Sequence, residues 1–195
     1  MRRLGVQSVC AVLVMGSLCA GAHASPQNTA PVNSDSSVLQ AFETRVTEYF
    51  KLRQKLQSNM PATKTSNSAA NIKGRQALLA AKIKSARADA RQGDIFTPEA
   101  SAIIRRLIAT PLNSADGARI RASLANAEPV KNFRPRVNQE YPAGLSLQST
   151  PPSLLIDLPR LPQDMEYRIV GHDLILRDAA ANIIVDLMPQ AIPAP

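Results

Sequence analysis

The chain has 195 residues, with 23 lysines and arginines against 15 aspartates and glutamates, two cysteines and no tryptophan. A formal charge of +8 points to acidic or anionic partners, and four phenylalanines and three tyrosines leave a core mainly of Leu, Ile, Val and Ala, which suits closely packed helices. The length suffices for one domain with a sizeable core and requires no second one.

Met1-Arg2-Arg3 is a positive start, residues 4–20 are almost wholly apolar, and Ala22-His23-Ala24 has the small-x-small form of a cleavage site. This pattern predicts a secretory signal peptide over residues 1–24, with an apolar run too short for a spanning helix and a mature periplasmic chain beginning at Ser25. Leu18 before Cys19 and Val9 before Cys10 do not make a lipobox, so no lipid anchor is expected. Cleavage removes Cys10, Cys19 and His23. The exported chain then has no disulfide and His172 as its single imidazole.

Residues 25–36, rich in Ser, Asn and Pro, predict a disordered tail. Residues 37–195 read as one α+β domain: a helical part over 37–126, a proline-rich strap over 127–164 and a β-meander over 165–188. Ser37 is the expected cap of a first helix, with Leu39, Phe42, Val46, Tyr49 and Phe50 at helical spacing up to about Leu56. A linker over 59–70 precedes a second helix with Ile72, Leu79, Ile83, Ala86 and Ala90 on its stripe, closed by Gly93. The opposite face of that helix holds Ala77, Leu78, Ala81 and Ser85, which predicts a central helix covered on both sides. Thr97-Pro98-Glu99 starts a third helix that stops near Thr110-Pro111, and a fourth runs from about Ser114 to Asn126 with Ile120 and Leu124 inward.

Prolines at 129, 135, 142, 151, 152, 159 and 162 confine regular structure in the strap to one turn near residues 153–158, while its leucines predict an extended segment lying across the helices. Three strands follow: one around Glu166-Tyr167-Arg168-Ile169, a second around Leu174-Ile175-Leu176, and a third over residues 183–187. Gly171-His172 fits a two-residue type II′ turn between the first two. Tyr167, Ile169, Ile183, Val185 and Leu187 are the expected inward face.

The basic residues cluster in the helical part and the acids toward the C-terminus. Lys73, Lys82, Lys84, Arg87 and Arg91 are therefore candidate contacts for an anionic glycopolymer or lipid surface, although a solvated flank pairing partly with the acidic C-terminal part accounts for them more simply. Nucleic acid is excluded by export and by the lack of aromatic platforms among these residues. No phosphate loop, dinucleotide fingerprint, haem or EF-hand spacing occurs, so no cofactor or metal is expected. His172 in a turn lacks a ligand set, and no nucleophile elbow accompanies it, so no catalytic residue is assigned. A carboxylate-based hydrolase, with Glu166 and Asp186 as neighbours across strands, stays open as a lesser alternative; acids on a small sheet are expected to be solvated.

The phrases QGDIFTP (residues 92–98) and EYRIVGHDLILRD…NIIVD (residues 166–186) give the chain a likeness to a known group: it resembles a family of uncharacterised exported bacterial proteins. The resemblance implies a helical first part and a short C-terminal sheet, and lends no activity, cofactor or site residue. The expected role is a non-catalytic envelope protein acting through a protein partner, with the turn at Gly93 to Pro98 and the free edge of the meander as contact places. Binding of an anionic envelope polymer through the basic helix is the alternative.

Overall fold

In the computed structural model the described residues are 34–61, 69–125, 133–142 and 151–192. The predicted signal peptide, most of the predicted tail, Leu145 and Leu147 of the expected strap and the centre of the first expected linker lie outside them. The architecture is α+β, and the described residues form five helices, mainly N-terminal, and a three-stranded antiparallel sheet at the C-terminus.

Helix α1 spans Ser34–Ser58, three residues earlier than the tail's composition suggests. Asp35 sits in the positively polarised first turn and pairs with Arg106 at 2.5 Å, which draws the helix back past Ser37. The Ser37 hydroxyl donates to the Ser34 carbonyl inside the helix and caps nothing. The inward stripe is Phe42, Val46, Tyr49 and, at the same spacing, Arg53.

Helix α2, Ala69–Ala86, ends before Gly93 because its last groups are diverted. The Asn138 amide donates to the Arg87 carbonyl, and the Arg91 N–H bonds the Asp94 carboxylate rather than closing another helical turn. Leu79, Ala80 and Ile83 are buried. The predicted central position is not observed: Ala77, Leu78, Ala81 and Ser85 all face solvent. Ala86 and Ile72 are exposed as well.

Helix α3, Pro98–Leu112, starts as the sequence requires, with Thr97 accepting from the Ala100 N–H and Pro98 at the first position. It runs past Thr110 to Leu112 with Pro111 inside its last turn. Ile104, Ile108 and Ala100 are its most buried residues. Helix α4, Gly117–Ala125, is shorter than expected, with Ile120 inward. Gly117 has a steric reason: a Cβ there would stand 1.9 Å from the Leu112 carbonyl oxygen. Helix α5, Pro152–Leu155, is the single turn of the strap, and Leu154 and Leu158 beside it enter the main core.

Strands β1 (Met165–Val170), β2 (Asp173–Asp178) and β3 (Ile183–Met188) follow in spatial order β1-β2-β3. Val170 pairs with Asp173, so Gly171 and His172 are the two-residue turn; φ is +62° at Gly171 and not positive at His172, the type II′ pattern. One sheet face, with Tyr167, Ile169, Leu174, Leu176, Ile183 and Val185, packs on the helices; Phe42 of α1 stacks on Phe96 at 5.5 Å in the same core. The other face, with Val170, Ile175, Ile184 and Leu187, is covered by Phe133, Val137 and Tyr141. That part of the strap therefore lies on the sheet and not across the helices. Each fully buried Leu or Ile in these layers is worth about 1.5–3 kcal/mol.

Leu187 departs from the expected inward set for a local reason. Leu176 pairs with Asp186 while Arg177 pairs with Ile184, so Val185 is the extra residue of a β-bulge. The bulge turns Val185 and Asp186 both toward the helices and moves Leu187 to the strap side.

Candidate functional site

The acids expected on a wet sheet surface are the most deeply buried polar groups described. Asp178 and Asp186 have no exposed surface, because their strands are covered on both faces. A buried carboxylate is tolerated only when its lone pairs are met by donors, and both meet that condition in different ways.

Asp186 holds the turn between α2 and α3. Its Oδ1 accepts from the N–H groups of Gly93 at 2.9 Å and Leu187 at 2.8 Å, and its Oδ2 from those of Ile95 and Phe96, each at 2.8 Å. Gly93, at φ +90°, supplies the backbone conformation that lets the turn present these donors. The phrases QGDIFTP and NIIVD, some ninety residues apart in the chain, are thus joined by one carboxylate. Ile95 and Phe96 point into the core, so this turn is a joint of the scaffold and not an exposed platform.

Asp178 is charge-paired. The Tyr49 hydroxyl donates to its Oδ2 at 2.7 Å, the Ala181 N–H donates to its Oδ1, and Arg53 stands 3.5 Å from that oxygen. Arg53, almost fully buried, also reaches the Asp164 carboxylate at 3.4 Å and the Gln163 carbonyl and lies over the Phe50 ring. Burial, with the Asp178 charge next, pushes the Tyr49 phenol far above its ordinary pKa, so it remains a donor.

Arg87, read from sequence as an outward basic contact, is turned inward. Both terminal nitrogens of its guanidinium donate to the Val185 carbonyl at 3.2 Å, one also bonds the Asn138 side-chain oxygen, and the group lies over the Tyr49 ring. Burial lowers its pKa from the usual value, against the opposing influence of Tyr49 and Asp186. The Val185 carbonyl it meets is at the bulge. Lys73, Lys84 and Arg91 are exposed and Lys82 half-buried, so the structure keeps four of the five candidate cations outward and withdraws one.

Glu166 and Asp186 are not neighbours. Strand β2 lies between them, and they occupy opposite faces. Glu166 is gripped by Arg177, directly across the ladder, and by Arg168 at 2.5 Å; Arg177 in turn bonds Asn182 and lies over the Tyr141 ring. Burial would raise the Glu166 pKa, but the hydrogen bonds and charges of the two arginines outweigh it and hold the carboxyl below its ordinary range. His172 is exposed in its turn, and its Nδ1 lies 3.2 Å from the Ile192 carbonyl, whose own N–H bonds the His172 carbonyl. Asp173 accepts from the Gln190 N–H.

The β3 edge is occupied by the strap: Asn138 donates to Ile184, Ile184 to Gln139 and Tyr141 to Asn182 through backbone groups, with a bridge from Glu140 to Ile183. The other edge belongs to β1, where Met165, Tyr167 and Ile169 are buried. Among the described residues no helix is long and apolar enough to cross a membrane, and no three His, Cys, Asp or Glu side chains converge as metal ligands.

Arg53, Asn138 and the inward roles of Arg87, Asp178 and Asp186 escape a reading by residue type. Two carried a signal. Asp186 interrupts an apolar run on a strand covered on both faces, and Arg53 extends the Phe42, Val46, Tyr49 stripe by one step. Comparison of the chain with family models, with curated proteins and with solved structures gives no match.

Proposed function

We propose that this is an exported, non-catalytic protein of the bacterial cell envelope that works by binding a partner protein. The observation that supports this reading best is where the acids go. Asp178 and Asp186 are saturated by Tyr49, Arg53 and backbone donors, and Glu166 is held by two arginines, so these carboxylates are occupied in holding strands, turn and strap together. A hydrolase needs one carboxyl group reaching substrate and a second at working distance, an arrangement these three do not offer.

Residues 1–24 as a cleaved leader and the likeness to exported proteins support the compartment. Intact-mass measurement on native protein is expected to give a chain starting at Ser25. The partner reading is tested by placing a photo-reactive amino acid at exposed positions on several sides, such as Ala77, Ala102, Glu140 and Arg160, and cross-linking in living cells. A reproducible protein adduct from at least one position is the expected result; adducts no more abundant than background from all of them overturn the reading.

The second reading, binding of an anionic polymer, is favoured by one observation: α2 carries no acidic residue and directs Lys73, Lys82 and Lys84 outward, with Arg91 beyond its end. Sedimentation with lipopolysaccharide or peptidoglycan that falls steeply with salt is its signature.

A further inference from the structure

We infer that the solvent-facing side of α2 is a docking surface for an acidic amphipathic helix of a partner protein, an inference that rests on the association role proposed above and names its surface. Helix α2 carries two apolar strips separated by polar and basic flanks. One side, through Leu79, Ala80 and Ile83, is buried against the domain; the other presents Ala70, Gly74, Ala77, Leu78 and Ala81 to solvent. An apolar strip on a helix is ordinarily turned toward a partner, and the described chain covers only one of the two. Leu78, 43% exposed, is the large apolar side chain of this strip; Ile72, 59% exposed, continues the Leu79 and Ile83 side instead.

Charge selects the occupant. From Ala69 to Ala86 there is no aspartate or glutamate; Lys73 and Lys84 line one flank of the open strip and Lys82 the other. A second copy laid helix on helix would bring these lysines together, so the complementary surface carries carboxylates on both sides of an apolar stripe. The small side chains let a helix axis approach to the short end of the usual 8–10 Å range. A Cβ added at Gly74 meets nothing within 4 Å, so the approach is open there. At the N-terminal end Met60, Pro61, Gly74 and Leu78 help to line an open recess of about 270 Å³, large enough for a leucine or phenylalanine anchor. Alanine and glycine gain little from entering a bilayer, which favours a helix over a lipid surface.

The test uses the full chain and a fluorescent 18-residue helical peptide with an Ala/Leu stripe flanked by glutamates, its lysine-flanked counterpart, and vesicles of anionic phospholipid. The glutamate peptide is expected to bind saturably, to lose about tenfold or more in affinity between low and high salt, and to be released by Leu78→Glu and by the double substitution Lys73→Glu with Lys84→Glu. These positions are exposed, so an unchanged circular dichroism spectrum and melting temperature separate lost binding from lost fold. Failure of that peptide to bind, equal binding of the lysine-flanked one, or undiminished binding by Leu78→Glu overturns the inference. So do vesicle binding without peptide binding, and a dimer in sedimentation velocity that Leu78→Glu dissolves. If envelope cross-links from other faces persist in such a case, the association role stands and only its assignment to α2 falls.

Discussion

Helices α2 and α3 belong to the same helical half and face different surroundings. Helix α3 buries Ile104 and Ile108 on one side and turns Arg105 and Arg106 outward, where they reach the Pro189 carbonyl and Asp35. Helix α2 buries Leu79 and Ile83, yet keeps an apolar strip on its outer side. In α3 the amphipathic pattern and the available partners agree; in α2 the pattern asks for more cover than the described chain supplies. The same contrast runs through the polar groups. Between helices and sheet every carboxylate oxygen of Asp178 and Asp186 has a donor, whereas the lysines of α2 stand outward. Stability therefore resides in the closed seam, and the binding role proposed above is assigned to the open helix. Substitutions in the two places should separate accordingly.

The largest effect is expected at Asp186. Asp186→Ala leaves the N–H groups of Gly93, Ile95, Phe96 and Leu187 without their acceptor inside a closed core. A loss of about 3–5 kcal/mol is expected, read as a drop in denaturation midpoint. Asp186→Asn should recover part of it, because the amide keeps one acceptor and turns its NH₂ toward donors. An Asn variant as stable as wild type would show that the carboxylate does not hold the turn.

Gly117→Ala comes next and sets two principles against each other. In a helix, alanine is favoured over glycine by about 1 kcal/mol, but here the new methyl meets the Leu112 carbonyl oxygen. The contact should win, with a net loss of about 1–3 kcal/mol; a gain in melting temperature would refute the close approach of α4 to the end of α3.

At the sheet's strap face, Glu166→Gln is expected to cost about 1–2 kcal/mol at neutral pH by weakening the grip of Arg168 and Arg177. Its pH dependence follows from the lowered folded-state pKa. The stabilisation is fully present above the unfolded glutamate value of about 4.3 and is lost as pH falls through the lower folded value. The gap between wild type and variant should thus close on acidification below roughly pH 4.3. A gap that stays constant from pH 7 to pH 3 would show that the charge of Glu166 is not what matters.

The elements and their order could be read from periodicity and turn chemistry. Thr97-Pro98 predicted the start of α3, and Gly171-His172 the hairpin, because both signals are local. What escaped depends on tertiary partners. The end of α2 is set by Asn138, about fifty residues away in the chain, and the facing of Leu187 by a bulge that alternation does not announce. Acidic residue type suggested solvation for Asp178 and Asp186, but the strap covers the second sheet face and makes β2 and β3 interior strands. Of the candidate contacts, Lys73, Lys82, Lys84 and Arg91 have the exposure a binding role needs, while Arg87 sits near both the carbonyl at the bulge and the Tyr49 ring, to which it is drawn.

The smallest stability effect is expected on the open helix, and there its smallness is the informative quantity. Leu78 is 43% exposed, so Leu78→Ser removes less buried area than a core substitution and should change stability by no more than about 0.5 kcal/mol. Leu79→Ala, one residue along, deletes a buried side chain and should cost about 2–4 kcal/mol. Measured side by side in urea, the pair reports which side of α2 the domain covers. If Leu78→Ser destabilises as much as Leu79→Ala, both sides of the helix are already covered within the isolated chain, and α2 has no face left for a partner.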